Sequence, residues 1–205
     1  MIVLISPEND IPNELPLLHQ LFEEGLQCFH LRKPKRSIGD YEKYLSQLDE
    51  KYHHKVVIHE HYQLLNKFDL KGIHFPERTR NQLLSDNKIH LNYRFVKTTE
   101  TIDFQIDKNK TSSTSFHDIS VLEQCPIAFD YQFLSPVFTS ISKENYRGKQ
   151  FDVNSISKKV IGLGGIDKSN IGKLQKLGYS GAALMGGIWK SPSPMADFKE
   201  MQQHF

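Results

Sequence analysis

Short apolar runs alternate along the chain with longer stretches in which apolar residues recur every three or four positions. The short runs predict buried strands, and the longer stretches predict amphipathic helices. The eight predicted strands are Ile2–Ile5, Cys28–Leu31, Val56–His59, Gly72–His74, Thr114–Phe116, Tyr131–Leu134, Val160–Leu163 and Gly181–Met185. Because this alternation is typical of parallel strands joined by crossover helices, the fold class is α/β.

The helices that fit the alternation include Leu15–Glu24, Tyr41–Leu48, Ser169–Leu177 and Ala196–His204. Eight strands is the number that closes a (β/α)8 barrel, and 205 residues are enough for one such domain. We therefore predict a single (β/α)8 TIM-type barrel over residues 1–205. A doubly wound open sheet is the competing architecture, because alternation alone does not decide whether a sheet closes.

One region fits this pattern poorly. Between Leu84 and Ser113, the segment Lys88–Val96 alternates like a strand, and a polar run follows as far as Lys110. A compact barrel needs only a short helix and a loop at this point. We expect an irregular insertion between the fourth and fifth strands.

Charge and composition narrow the classes of partner. Lys and Arg number 26 against 24 Asp and Glu, and a net charge of +2 is too small to attract nucleic acid or an anionic membrane over a distance. The apolar start Met1–Ile5 is too short for a signal-peptide core or a membrane span. Cys28 and Cys125 lack zinc-type spacing, so we expect buried reduced thiols. These features predict a cytoplasmic protein and leave a homo-oligomer open.

Two of the late strands end in a pair of glycines. Val160–Leu163 is followed by Gly164 and Gly165, and Gly181–Met185 is followed by Gly186 and Gly187. Without a Cβ atom the backbone can approach an anion closely, and a helix N-terminus supplies N–H groups to it. Either turn alone is as readily explained by a tight strand-to-helix connection. Together, after the seventh and eighth strands, they favour a phosphate site and therefore small phosphorylated substrates.

Polar side chains follow other predicted strands. The loop after Tyr131–Leu134 carries hydroxyls and Lys143, which suit a phosphorylated or carboxylated ligand, although a polar surface loop would look similar. His117 follows the fifth strand and Ser115, where a neutral imidazole can move a proton near pH 7. A helix-capping role is the alternative for His117. The segment His59–His61 does not make a metal triad alone, since alternate side chains point to opposite faces.

Taken in order, these segments resemble the thiamine phosphate synthase and thiazole tautomerase superfamily of (β/α)8 barrels. The resemblance rests on the joint order and spacing of Phe29–Arg32, Gly72–His74, Ser115–His117, Asp130–Lys143, Gly162–Ile166 and Gly181–Ile188. It implies a role in thiamine biosynthesis. The synthase joins a pyrimidine pyrophosphate to a thiazole phosphate with the assistance of Mg²⁺. The tautomerase moves a proton on a thiazole phosphate carboxylate and needs no metal.

The resemblance implies that the thiazole half of the site is retained. The family's thiazole-binding turn falls at Ser140, Ile141 and Ser142. Its backbone contacts to the thiazole phosphate fall at Gly165, Met185 and Gly186. The family's pyrophosphate-binding serine and lysine fall at Ser115 and Lys143.

The pyrimidine pyrophosphate half departs from the family pattern. The motif Gln-x-Arg-x-Lys corresponds to the segment His30–Pro34, which keeps Arg32 and loses the last lysine, with Lys33 as a candidate replacement. The family's Asn-Asp pair becomes His59 and Glu60, and its second magnesium-binding aspartate falls at Thr79. The metal site is therefore reduced to Glu60, which should weaken Mg²⁺ binding.

Three functions remain as hypotheses. The first is a thiamine phosphate synthase, in which Arg32, Lys33, Ser115 and Lys143 hold pyrophosphate and Glu60 supports Mg²⁺. The second is a thiazole tautomerase with His117 as the proton shuttle. The third is a non-catalytic protein that binds thiazole phosphate. We place the synthase first because it has the broader base in the family.

Overall fold

A computed structural model describes residues 1–85, 95–97, 103–105, 109–139 and 147–205 of the chain. Its strands are β1 (Ile2–Ile5), β2 (Cys28–Leu31), β3 (Val56–Ile58), β4 (Gly72–Phe75), β5 (Phe95–Lys97), β6 (Asp103–Gln105), β7 (Thr111–Phe116), β8 (Tyr131–Leu134), β9 (Val160–Leu163) and β10 (Gly181–Leu184). Its α-helices are α1 (Glu14–Glu23), α2 (Ile38–Gln47), α3 (Leu64–Lys67), α4 (Glu77–Ser85), α5 (Ile119–Gln124), α6 (Gly172–Lys176), α7 (Gly186–Trp189) and α8 (Pro194–Gln202). A 3₁₀ helix spans Glu50–Lys55.

Eight parallel strands close into a barrel in the order β1-β10-β9-β8-β7-β4-β3-β2. The closure lies at β1, which pairs with β2 through Val3 and Cys28 and with β10 through Ile2 and Ala182. The predicted (β/α)8 barrel is confirmed. The open doubly wound sheet is excluded because all eight strands of this sheet pair on both sides, so the sheet has no edge strand.

Alternation along each strand sorts side chains between the barrel interior and the surrounding helices. The interior contains a buried apolar cluster that includes Val3, Ile5, Tyr131, Phe133 and Ile161. The outward side chains pack against the helices in a larger core. Each fully buried aliphatic or aromatic side chain of this kind contributes about 1.5–3 kcal/mol.

The sequence of two helices explains where they form. In α1, Leu18, Leu21 and Phe22 are buried at helical spacing, and Gly25 follows with a φ of 106° that favours glycine after a helix end. In α2, the side chain of Ser37 accepts a hydrogen bond from the Asp40 backbone, and the Asp40 side chain accepts one from the Ser37 backbone. This capping box fixes the start of α2 just after the carboxyl end of β2.

The strand β7 begins at Thr111, three residues before the predicted start. Its sequence TSSTSF has only one large apolar residue, so the apolar pattern does not reveal its full length. Its buried hydroxyls are satisfied within the barrel wall: the Thr114 hydroxyl donates to the Phe75 carbonyl at 2.7 Å, and the Ser112 hydroxyl donates to Asp130 at 3.0 Å. Hydrogen bonding therefore replaces apolar burial in this strand.

The segment between β4 and β7 is the expected insertion. It contains α4 and an antiparallel pair, in which Val96 of β5 lies opposite Phe104 of β6, apart from the barrel sheet. The insertion is thus less irregular than predicted in its described part. Most of the strand-like run Lys88–Val96 lies outside the described residues. Within the described ranges, the helices lack the length and apolar character that crossing a membrane requires.

Candidate active site

The carboxyl ends of the eight parallel strands form one rim of the barrel, which we call the barrel mouth. Just beneath it, three histidines point into the interior from neighbouring strands: His30 on β2, His59 directly after β3 and His74 on β4. They alternate with outward apolar residues such as Phe29 and Ile73. All three are almost fully buried, and we call them the histidine cluster.

The rings of the cluster are in mutual contact. The centroids of His30 and His59 lie 5.1 Å apart with the planes nearly perpendicular, and His59 stacks on His74 at 4.2 Å. Phe133 closes the cluster from β8, at 5.0 Å from His30 and 5.1 Å from His74. The interior is therefore polar near the mouth beside β2, β3 and β4, whereas the rest of the interior cluster, which includes Cys28 and Val57, is apolar.

Hydrogen bonds fix the orientation of each imidazole. Nδ1 of His30 lies 2.9 Å from Nε2 of His59, and Nε2 of His30 lies 2.6 Å from the Tyr131 hydroxyl. His74 lies between two hydroxyls of β7, with Ser113 Oγ 2.9 Å from Nδ1 and Ser115 Oγ 2.9 Å from Nε2. A neutral imidazole has one donor and one acceptor, so each ring can satisfy two partners of this kind.

Burial holds the pKa of all three imidazoles below the ordinary value of 6.5. Desolvation is the main cause in each case, and the pKa of His30 and that of His59 fall well below 6.5, with neighbouring imidazoles as a further cause. The pKa of His74 falls to about 3, with added repulsion from Arg32 and Arg80. The cluster is therefore neutral at pH 7.

Arg32 lies at the mouth, directly after β2. Its backbone N–H donates to the Ser6 hydroxyl at 2.8 Å, and that hydroxyl donates to the Arg32 carbonyl at 3.0 Å, which ties the end of β2 to the end of β1. The guanidinium pairs with Glu8 and remains 34% exposed. The guanidinium can therefore bind an anion at the mouth, if its ion pair with Glu8 breaks or the anion binds beside the Glu8 carboxylate.

Glu60 follows β3 and is half-buried at the same rim. Its carboxylate accepts a hydrogen bond from the Tyr41 hydroxyl, which in turn accepts one from the Lys33 backbone N–H at 2.8 Å. Burial and the Glu60 carboxylate raise the pKa of Tyr41 far above its ordinary value, so the hydroxyl stays a donor. One oxygen of the Glu60 carboxylate is therefore held in place by Tyr41 of α2.

Lys33 is placed away from the mouth, in contrast to the substrate-binding role we assigned to it. Its ammonium group lies 2.9 Å from Glu14 and 3.1 Å from Asp10, donates to the Pro7 carbonyl at 3.2 Å, and is 3% exposed. The hydroxyl of Tyr44 donates to the second oxygen of Glu14 at 2.8 Å. The chain turns outward after Arg32, so this lysine neutralises a buried carboxylate between α1 and α2.

His117 lies directly after β7 and is exposed. Its Nδ1 lies 3.0 Å from the hydroxyl and 3.1 Å from the carbonyl oxygen of Ser135, a buried residue at the end of β8. The Lys149 ammonium donates to the His117 carbonyl at 3.0 Å. Ser135 thus anchors one edge of the ring and leaves the ring itself open to solvent. Ser115 points instead to His74, one layer deeper.

The two glycine turns lie side by side. A Cβ atom at Gly187 would lie 2.5 Å from the carbonyl oxygen of Ile166, so the turn that starts α7 packs directly on the turn after β9. Gly165 has a φ of 64°, and a Cβ there would lie 2.6 Å from the Thr139 carbonyl oxygen. Both conformation and space therefore require glycine at position 165. Met185 packs on the apolar side of the barrel interior.

Ser140, Ile141, Ser142 and Lys143 lie outside the described residues. The segment that leads to them is described: Val137 N–H donates to the Leu163 carbonyl at 2.9 Å, and Phe138 N–H donates to the Gly164 carbonyl at 3.0 Å. The loop that carries these four residues therefore begins beside the turn at Gly165.

The histidine cluster is the feature that sequence reasoning missed. From sequence, we consider His59 only beside Glu60 and His61, and we name His30 and His74 only within segments that resemble the family. A usable signal was present, because each lies between two large apolar residues, Phe29 and Leu31 or Ile73 and Phe75. If the apolar neighbours face the helices, the imidazoles face the interior.

Comparison with known proteins gives the family. The model of the thiamine monophosphate synthase family matches residues 2–188. The chain belongs to this family. It is similar to the thiamine-phosphate synthase of Dictyoglomus turgidum, at 24% identity over 87% of this chain and 77% of that protein. The synthase of Actinobacillus succinogenes is also 24% identical, over 90% and 84% of the two chains.

A solved structure, thiamine phosphate pyrophosphorylase from Bacteroides thetaiotaomicron, is 25% identical and covers 99% of this chain and 96% of its own, with a TM-score of 0.71. The expected resemblance is therefore confirmed at the level of family and fold. The family match over residues 2–188 includes every barrel strand and the first three residues of α7, so it spans all of the strand ends that build the mouth.

The resemblance also implies Mg²⁺, and the residues present fit it in a limited way. Glu60 offers one carboxylate at the mouth. Glu77, the nearest substitute for the missing aspartate, is paired with the buried Arg80 at 3.1 Å. Mg²⁺ is commonly held by one or two carboxylates together with phosphate oxygens and water. Glu60 therefore fits Mg²⁺ when a pyrophosphate supplies further oxygens.

Proposed function

We propose that this member of the family is a thiamine phosphate synthase-type transferase. The thiazole nitrogen would form a bond to the methylene carbon of a pyrimidine pyrophosphate. The bond from that carbon to the pyrophosphate oxygen would break, and pyrophosphate would leave with the electron pair. The observation that carries this proposal is the family match over residues 2–188, which includes both glycine turns and all eight barrel strands.

The thiazole phosphate is assigned to the two adjacent glycine turns. The first N–H groups of a helix have no acceptor within the helix, so those at the start of α7 are available to an anion. Gly165, Met185 and Gly186 are the proposed contacts. The convergence of the turns at Ile166 and Gly187 supports this assignment, since one phosphate group can reach both.

The pyrophosphate is assigned to side chains that follow β2 and β8 at the mouth. Arg32 would contribute positive charge and two parallel N–H donors, a geometry that suits phosphate oxygens. Lys143 would add a second positive charge. Both groups act on the leaving group, where negative charge develops as the carbon–oxygen bond breaks. Mg²⁺, held by Glu60 and the substrate, would neutralise part of the same charge when bound.

A thiazole tautomerase is the second candidate, and one observation favours it. The ring of His117 is anchored through Nδ1 by Ser135 and is otherwise exposed at the mouth. An imidazole held at one nitrogen can take and return a proton at the other. The same ring position is compatible with a synthase, so a functional test must separate the two.

Two single substitutions distinguish a synthase from a tautomerase. In a synthase, Glu60→Gln should lower turnover strongly and weaken the dependence on Mg²⁺, whereas His117→Asn should be milder. In a tautomerase, His117→Asn should lower turnover by about 10²–10⁴-fold, and Glu60→Gln should change little. Exposed Glu123→Gln is the matched control. Small, equal effects of both substitutions would contradict both enzymatic functions and leave a binding protein.

A further inference from the structure

The histidine cluster brings three imidazoles together in the barrel interior, apart from Glu60 and the glycine turns. We propose that His30, His59 and His74 bind a transition-metal ion of the Zn²⁺ type, with an open position that faces the barrel mouth. This site is separate from any Mg²⁺ at Glu60, and the proposal does not depend on which reaction the family member catalyses.

The distances are close to those that a metal needs. One ring nitrogen of each histidine lies within 4.8 Å of the other two. The nearest pair, Nδ1 of His30 and Nε2 of His59, is 2.9 Å apart. Two nitrogens of a tetrahedral Zn²⁺ site, each about 2.0–2.1 Å from the ion, are about 3.3 Å apart. This pair has only to move apart by about 0.4 Å.

His74 requires a larger adjustment. Its ring stacks on His59 at 4.2 Å with an interplanar angle of 22°, so the lone pairs run side by side without converging. Rotation about χ2 of one ring turns them toward a common point, and this torsion has a broad energy profile in histidine. The ion would then replace the hydrogen bond between His74 Nε2 and the Ser115 hydroxyl and the one between His30 and His59.

The chemistry of the cluster selects the class of metal. Imidazole nitrogen suits Zn²⁺, Ni²⁺, Co²⁺ and Cu²⁺, whereas Mg²⁺ and Ca²⁺ require oxygen ligands. The low pKa of each imidazole means that protons do not compete with a metal at pH 7. Three imidazoles that are buried and neutral are already in the form that coordinates.

The second ring nitrogens of His30 and His74 also have partners. With Nδ1 of His30 on the metal, Nε2–H donates to the Tyr131 hydroxyl, 2.6 Å away. With Nε2 of His74 on the metal, Nδ1–H donates to Ser113 Oγ, 2.9 Å away. Such outer contacts fix the tautomer of a ligating histidine and raise its basicity. Tyr131 and Ser113 thus hold the two outer histidines of the cluster.

The net charge of the site determines which kind of fourth ligand can bind the ion at the open position. Three neutral ligands leave the ion with its full double charge, and the guanidinium groups of Arg32 and Arg80 already repel positive charge at His74. A bare dication is therefore opposed, and an anionic fourth ligand offsets the excess charge. Hydroxide or an oxygen of a phosphorylated molecule at the mouth fits this requirement, so metal affinity should rise when inorganic pyrophosphate is present.

The test uses the full chain, without a histidine tag and after treatment with a chelator. Co²⁺ and Zn²⁺ are titrated with and without pyrophosphate, and the stoichiometry and the visible spectrum of the Co²⁺ form are recorded. We expect one ion per chain with a spectrum of low coordination number. Control titrations of Co²⁺ with pyrophosphate alone remove the contribution of the free complex. Absence of a stoichiometric site would overturn the proposal.

Substitutions test whether the ion binds to the histidine cluster. His30→Gln and His74→Gln should each lower affinity by at least about 100-fold, because loss of an outer-sphere partner alone costs about 10–100-fold. Tyr131→Phe should give that smaller, outer-sphere loss, which tests the assignment if a histidine variant fails to fold. Exposed His54→Gln is the matched control. A site that survives in the cluster variants, or that is lost with His54, would refute the assignment.

Discussion

The metal-free protein should lose stability sharply in mild acid, because it buries three neutral imidazoles. An unfolded histidine has a pKa of about 6.5, and the folded pKa lies below this value for each member of the cluster. Between the two values the unfolded chain binds more protons than the folded chain. Stability is therefore complete above about pH 6.5 and falls as the pH drops toward the folded pKa, about 3 for His74.

The size of this stability loss follows from the linkage between proton binding and unfolding. At about pH 5.5, protonation stabilises each unfolded imidazole by about 1.4 kcal/mol relative to neutral pH. The three contributions add as long as the folded cluster stays neutral, since the histidines titrate independently in the unfolded chain. The expected loss is about 4 kcal/mol, a large part of the roughly 5–15 kcal/mol that stabilises a typical domain.

Urea unfolding at about pH 7.5 and about pH 5.5, in the presence of a chelator, measures this loss. His74→Gln keeps polar atoms for Ser113 and Ser115 and removes one titrating group, so it should reduce the pH difference by about 1.4 kcal/mol. Exposed His54→Gln is the matched control and should not reproduce that change. The reasoning fails if wild-type stability is the same at both pH values, or if His74→Gln leaves the difference intact.

Three further predictions concern the scaffold and the phosphate site. Glu14→Gln should lower the free energy of unfolding, measured in urea, by about 3–5 kcal/mol, because it leaves the buried ammonium of Lys33 without its main partner. A double variant with Lys33→Met should recover most of this loss. A Glu14→Gln protein of wild-type stability would argue against the buried pair. Gly72→Ala should lower the free energy of unfolding by about 3 kcal/mol or more, since the new Cβ would lie 2.0 Å from a carbonyl oxygen of β7. A variant of wild-type stability would contradict the register between β4 and β7. Gly186→Asp should abolish thiazole phosphate binding measured by calorimetry while the circular dichroism spectrum is retained, and unchanged affinity would remove the phosphate from this turn.

The architecture could be predicted from sequence because most of the barrel strands are short apolar runs that are bounded by polar residues. The strand β7 shows the limit of that signal. Its buried Ser and Thr residues are held by hydrogen bonds to Asp130, Phe75 and His74, and these partners are distant in the chain. A reading based on apolar pattern therefore found only its last three residues.

The site was less predictable for a similar reason. Lys33 stands next to Arg32 in sequence, yet the chain turns there and directs the ammonium toward Glu14 instead of the mouth. The histidine cluster depends on register between three strands that are far apart in sequence, in which His30 on β2, for example, lies opposite Val57 on β3. Spacing within one segment does not report such contacts.

The most direct test of the proposed function is a product assay with the purified full-length protein. A pyrimidine pyrophosphate, a thiazole phosphate and Mg²⁺ are supplied together, and thiamine phosphate and free pyrophosphate are quantified over time. We predict that both products form in equal amounts and only when both substrates are present. Conversion of a thiazole phosphate carboxylate tautomer, with no thiamine phosphate formed in the coupled reaction, would contradict the synthase assignment.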